Sequence, residues 1–235
     1  MADIIPSGTG DGEVGRADHV TVKTWAQMRS ANNGDHVDDV STVMQLLNSR
    51  TIGFKGRPDN WWLYRLLIPF DTGAVVPAGA TINAATLGVY VSSNATVGAY
   101  TNAYVFQGNF PDETNLTTPN YNDWVTAVTL GGSFGVGTNG WKNSVFNADG
   151  LNAIRRNGEA SEGGGSAGWT KIFIRGQHDY KNIPPTKVAN HINSMIRTAE
   201  GANSPTLTVT WTPFVPAGKI NKFNRTGVVA NDSLN

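Results

Sequence analysis

The sequence predicts an all-β protein: an antiparallel, jelly-roll-like β-sandwich with one short helix and extended terminal arms. Three observations lead there. First, YRLLIPFD (Tyr64 to Asp71) and TINAATLGVYV (Thr81 to Val91) carry apolar residues without helical spacing, and the Pro/Gly-containing DTGAVVPAGA joins them. They read as two neighbouring sandwich strands. Second, two later stretches alternate between apolar and polar residues: WTKIFIRGQ (Trp169 to Gln177) and SPTLTVTW (Ser204 to Trp211). Third, charged residues make up 15% of the chain, against about 25% in an average soluble protein. With 27 Gly, this composition favours strands and loops over exposed helices.

Taken in order, residues 1–18 are rich in Gly and Asp with little periodicity and read as an N-terminal arm. HVTVKTWAQM (His19 to Met28) alternates through Val20, Val22 and Trp25, which predicts a first strand. Asn, Gly and Asp make Ser30 to Asp39 a loop. Residues 40–54 carry both helical and strand signals, and their β surroundings favour a strand. KGRPDN (Lys55 to Asn60) is a turn. Trp61 and Trp62, adjacent on a strand, point to opposite faces, one into the core and one over an outer surface.

Another strand is expected at Ala99 to Gly108, followed by a long polar excursion from Asn109 to Trp141 in which only WVTAVTL alternates. Long loops of this kind are functional or held against a partner. Phe146 to Glu159 has Asp149 as an N-cap candidate, Leu151, Ile154 and Arg155 at helical spacing, and Asn157-Gly158 as a stop, so it reads as the short helix. EGGGSAG is a flexible turn and HDYKNIPPT a loop. Residues 188–200 fit helix and strand equally. From Thr212 the pattern ends, and residues 212–235 read as an extended tail outside a sandwich domain spanning 19–211.

The chemistry that these residues suggest is binding. The chain has 18 basic and 18 acidic residues, so no overall field steers it to nucleic acid or acidic lipid. It has 0 Cys, which removes thiolate metal sites and Cys nucleophiles. The opening MADIIPSGTGDGEVGR lacks a signal-peptide core, and no run approaches the roughly 18 apolar residues of a membrane span. GGSFG (Gly131 to Gly135) and GGSAG (Gly164 to Gly168) fit G-x-S-x-G but lack the strand before and helix after the Ser. GVGTNG (Gly135 to Gly140) has no following helix to meet a phosphate. Asp112, Glu113, Asp123 and Asp149 do not form a calcium loop. His178-Asp179 reads as a pair of polar residues on the surface rather than half of a metal or acid–base site. No metal and no cofactor are expected.

Tyr121, Trp124 and Trp141 are the ligand-contact candidates, because flat aromatic faces stack on sugars and pack at protein interfaces; alternatively they pin the excursion to the sandwich. Lys219, Lys222, Phe223 and Arg225 in the patternless tail are the candidates for a partner-binding arm.

YRLLIPFD, then PAGATINAATLGVYV, then GWTKIFIRGQHD with a closing SPTLTVTW, resembles the DNRLRE-type β-sandwich domain over about residues 20 to 211. Tyr64-Arg65-Leu66 stands in place of that family's fuller name motif. The resemblance implies a jelly-roll-like sandwich with a binding or structural role and no catalysis. Relatives in that family include carbohydrate-binding-module-like domains and tailed-phage virion structural proteins.

The expectation is therefore a non-enzymatic virion structural protein. It would decorate or cement a bacteriophage capsid, or sit on the tail, in many copies and attached to other virion proteins through its terminal arms. The alternative is a carbohydrate-binding module or adhesin whose loop aromatics recognise a host-surface glycan. Neither nucleic acid nor membrane is an expected partner.

Overall fold

A computed structural model describes residues 1–17, 23–51, 60–186 and 190–215 of the chain. The turn expected over Lys55 to Asn60 falls, up to Asp59, outside these residues. So do the tail beyond Val215, with Lys219, Lys222, Phe223 and Arg225, and the first part of the strand expected at His19 to Met28.

Strands β1 (Ala2–Pro6) and β2 (Gly12–Ala17) open the chain, followed by helix α1 (Trp25–Arg29), β3 (His36–Asp38), β4 (Val43–Thr51) and β5 (Asn60–Asp71). Next come β6 (Thr81–Asn94), β7 (Asn102–Gly108), β8 (Trp124–Thr129), the short β9 (Phe134–Gly135), β10 (Gly140–Val145) and helix α2 (Ala148–Ala153). The chain continues through β11 (Trp169–Gly176), helix α3 (Gln177–Tyr180), β12 (Ile192–Arg197) and β13 (Thr206–Thr212). Single 3-10 turns lie at Thr72–Ala74 and Thr118–Asn122.

All named strand pairs are antiparallel, in the order β1-β13-β6-β12-β4-β5-β11-β7-β8, with β10 added to β6 and β2 to β5. The sheet folds over itself at β12, which pairs with β4 and β6 and carries a register shift between Met195 and Ile196. The result is the all-β sandwich that the composition and alternation predict. Its central core joins Leu66, Ile68 and Phe70 of β5 to Ala85, Leu87 and Val89 of β6 and Leu207, Val209 and Trp211 of β13. β5 and β6 are therefore not hydrogen-bonded neighbours; they meet across the core, because the loop between them carries the chain from one layer to the other.

β5 is buried along nearly its whole length. Its Leu63 and Leu67 belong to a second apolar cluster with Phe106, Phe110, Phe173, Tyr121, Trp25 and Met28. Each fully buried aromatic side chain contributes on the order of 1.5–3 kcal/mol, so this second cluster holds a third layer, formed by α1 and residues 109–123, onto one sheet. Trp61 enters that cluster, while Trp62 stays half-buried, as adjacent strand residues require.

Several expectations change. Residues 1–17 of the expected N-terminal arm 1–18 are part of the sheet: β1 pairs with β13 and β2 with β5, in register from Ala2↔Thr210 and Gly12↔Leu67. Gly15 gives β2 room there, since a Cβ would lie 2.1 Å from the Tyr64 ring. Trp25 sits in a helix rather than a strand. Thr24 caps it in a reciprocal capping box with Gln27, and Trp25 and Met28, three residues apart, both point inward. Helical content is three short helices among the described residues, not one. Helix α2 is capped by Asn147, which accepts from the Gly150 N–H, rather than by Asp149, and it ends at Ala153. β4 takes the strand reading of its ambiguous stretch, and β12 resolves the other ambiguity as strand.

Candidate functional site

The three aromatic candidates do not converge. Tyr121 has no exposed surface; its hydroxyl donates to the Met28 carbonyl at 2.9 Å, and the Arg65 guanidinium lies 4.2 Å above its ring. It pins the excursion to the sandwich and has no face left for a ligand. Trp124 is half-buried at the start of β8, edge-on to Phe106 and 4.1 Å from the Arg175 guanidinium. Trp141 lies on the other sheet, on β10, 47% exposed and edge-on to Tyr90 of β6.

Around Tyr121 and Trp124 the covered sheet carries a charge cluster that sequence reasoning missed. Asp179, expected on the surface, is fully buried. Arg65 on β5 donates to its Oδ2 at 2.8 Å and its Oδ1 at 3.1 Å. Arg175, four residues earlier on β11, donates to Oδ2 at 2.8 Å and Oδ1 at 2.6 Å. Arg29 at the end of α1 reaches Oδ1 at 3.2 Å and the Asp179 carbonyl at 2.7 Å. Burial alone would raise the Asp179 carboxyl, but the Arg65 and Arg175 guanidiniums outweigh it and hold it well below the usual carboxylate range. Arg65 spends its remaining N–H groups on the Tyr121 and Arg29 carbonyls and the Asn122 side chain. One carboxylate thus ties β5, β11, α1 and the excursion together. Beside it His178 is also buried, its Nδ1 2.9 Å from the Ile183 carbonyl, and burial pulls its pKa down. The only sequence signal for this cluster was Arg65 and Arg175 inside apolar strands.

A second buried pair completes the layer. Lys171 on β11 lies 3.3 Å from Glu113 and donates to the Phe110 and Gly164 carbonyls at 2.6 and 2.7 Å. Glu113 in turn accepts from the Ser166 N–H. The Gly-rich stretch expected to be a flexible turn is therefore held; Gly165, at φ 81°, lets the backbone approach the Glu113 carboxylate where a Cβ would collide.

The opposite sheet differs. Register places Ile4, Thr208, Thr86 and Val145 in one row across β1, β13, β6 and β10. Thr206, Gly88 and Asn143 form the next row, and Tyr90 lies opposite Trp141. Thr206, Asn143 and Trp141 side chains converge over Gly88. None of these residues is charged, and Ile4, Val145 and Trp141 are 71%, 66% and 47% exposed. A third feature is a shallow groove of about 290 Å³ lined by Trp62, Tyr64, Gln45, Leu47, Ser49, Thr51 and Asn193.

Among the described residues no three His, Asp or Glu side chains gather as metal ligands, and no helix is long and apolar enough to cross a membrane. Comparison with protein-family models finds no matching family, and comparison with curated proteins finds no similar sequence.

Proposed function

We propose that the chain is a non-catalytic structural component of a tailed-phage virion, a capsid decoration or cement protein or a tail-associated subunit, docked on a neighbouring subunit through its uncovered sheet face. The carrying observation is the uncharged row Ile4–Thr208–Thr86–Val145 with Trp141 beside it. Four strands at ~4.8 Å spacing and about six residues at ~3.3 Å rise make a face of roughly 400 Å². The face is uncharged and exposes Ile4, Val145 and Trp141; the largest apolar patch of a typical monomer is of similar size and is often functional, and the cores of protein interfaces are depleted in charge.

β1 adds to this reading. It is the last strand of the order and pairs only with β13 among the described strands, leaving an edge that a partner strand can extend. β13 ends at Thr212, and the exposed Phe214 and Val215 follow it. The likeness to DNRLRE-type sandwiches of virion proteins points the same way.

The test places charge on the face. The double variant Thr208→Lys with Val145→Asp, in the full chain, is expected to fold as the parent does by far-UV circular dichroism and to be missing from purified particles. Incorporation at the parental copy number would overturn the reading.

A second reading, glycan binding, is favoured by the Trp62–Tyr64 groove, whose rings lie edge to face 6.4 Å apart among amide and hydroxyl side chains. It requires glycan-array binding that Trp62→Ala removes and that the charged face variant keeps.

A further inference from the structure

The arginine cluster is not neutral. Among the described residues, Arg29, Arg65 and Arg175 share the single carboxylate of Asp179, which leaves an excess of two positive charges at the cluster. Their side chains are 22%, 1% and 3% exposed. The pairing is uneven. Arg65 is saturated by Asp179, Asn122 and two carbonyls. Arg29 uses only its Nε, and Arg175 its Nε and Nη2. Both Nη groups of Arg29, Nη1 of Arg175 and the Ser30 hydroxyl carry no hydrogen bond to any described residue.

These groups line one cleft. Arg29, Ser30, Arg65, Asn122, Trp124 and Arg175 line an open cleft of about 350 Å³, within the size range of small-ligand pockets. Burial and the neighbouring Arg175 and Arg65 push the Arg29 guanidinium below its ordinary value, despite Asp179. A second anion in the cleft would relieve that repulsion. Asp179 hydrogen-bonds each guanidinium, and the Trp124 ring lies 4.1 Å from the Arg175 guanidinium. Fixed, partly unsatisfied guanidinium forks match the paired oxygens of a carboxylate.

We propose that this cleft is an oxyanion-binding site whose ligand is a carboxylate on a small polar molecule of monosaccharide size, gripped by Arg29 and Arg175 with Ser30 as an added donor. The site stands apart from the uncovered sheet face and from the Trp62–Tyr64 groove, so it holds or fails independently of both readings above.

Glucuronate is the probe, with glucose, acetate and sulfate at matched ionic strength as controls. Binding is read on the full chain by thermal shift and by the Trp124 indole and arginine Nε–H resonances. Expected are a rise in Tm and shifts of those resonances with glucuronate and none with glucose, since ligand binding to the folded state stabilises it. Acetate or sulfate shifting the same resonances supports the anion site and identifies the oxyanion itself as the recognised group. Arg29→Gln, which leaves Asp179 with Arg65 and Arg175, is expected to fold and to lose at least tenfold in affinity, and Arg29→Lys to recover part of it. No response to any of the three anions, or unchanged affinity in Arg29→Gln, overturns the proposal.

Discussion

The two outer faces of the sandwich are built from the same kind of strand and end in opposite states. On the β5–β11–β7 side, α1 and residues 109–123 cover the sheet, and buried charges sit at the seam: Asp179 with three arginines, and Glu113 with Lys171. On the β1–β13–β6–β10 side the outward row is Thr, Val, Ile, Asn and aromatic, uncharged and covered by no other described residue. Buried ion pairs contribute little net stability over an apolar alternative, but losing one partner is costly. Charge on the covered side therefore fixes where the third layer docks, while the lack of charge on the other side leaves it ready for a partner outside the chain.

The largest effect expected is from breaking the covered side. Asp179→Asn removes the carboxylate that the three guanidiniums share, at a cost on the order of 3–5 kcal/mol; urea unfolding measures it. A cost under about 1 kcal/mol would mean that solvent already screens the arginines and that the layer is held by its apolar cluster alone.

Next in size is a pH effect that contrasts a carboxylate beside arginines with one that has none. Burial raises Asp11 to about 7, against its hydrogen bonds from Ser7 and the Ala199 N–H. Its folded pKa lies above its unfolded one, so the folded state binds the extra proton between about pH 4 and 7. Stability falls as pH rises through that window, by up to about 4 kcal/mol from this group at 1.36 kcal/mol per pH unit. Asp179 has the opposite sign. Its contribution is complete above about pH 4 and is lost only as pH falls well below the ordinary carboxylate range. Asp11→Asn is expected to flatten the decline of Tm between pH 5 and 7.5. An unchanged slope would assign it to Glu13, which burial also raises to about 7.

The smallest effect on stability belongs to the uncovered face. Val145→Asp, at a 66% exposed position, should change unfolding free energy by no more than about 0.5 kcal/mol, as exposed substitutions do, and Thr208→Lys, half-buried on β13, by no more than about 1 kcal/mol. Their consequence is confined to association. A large loss of stability would mean that this face packs against another part of the same chain.

Much of the scaffold was legible in the residues. The alternation of Thr206, Thr208 and Thr210 with Leu207, Val209 and Trp211 assigns both faces of β13, and the unbroken burial of β5 follows from YRLLIPFD. The N-terminal strands were not legible. β1 and β2 are short, and their Gly and Asp content hides an alternation that only pairing with β13 and β5 stabilises. The candidate site was half legible. Trp124 does line a cleft, Tyr121 is its support, and Trp141 belongs to the other sheet. His178-Asp179 was misread, because a lone acidic residue after a strand looks the same whether water or three arginines surround it.

By itself, the sequence determined what depends on near neighbours in the chain: the all-β class and the inward and outward sets of β5 and β13. Tertiary structure alone decided what joins distant positions. Asp179 meets Arg65 across 114 residues and Arg29 across 150, and Ile4, Thr86, Val145 and Thr208 share a row only because β1, β6, β10 and β13 lie side by side. Side-chain direction follows from a local period of two, whereas strand partnership is set by the packing of the whole chain.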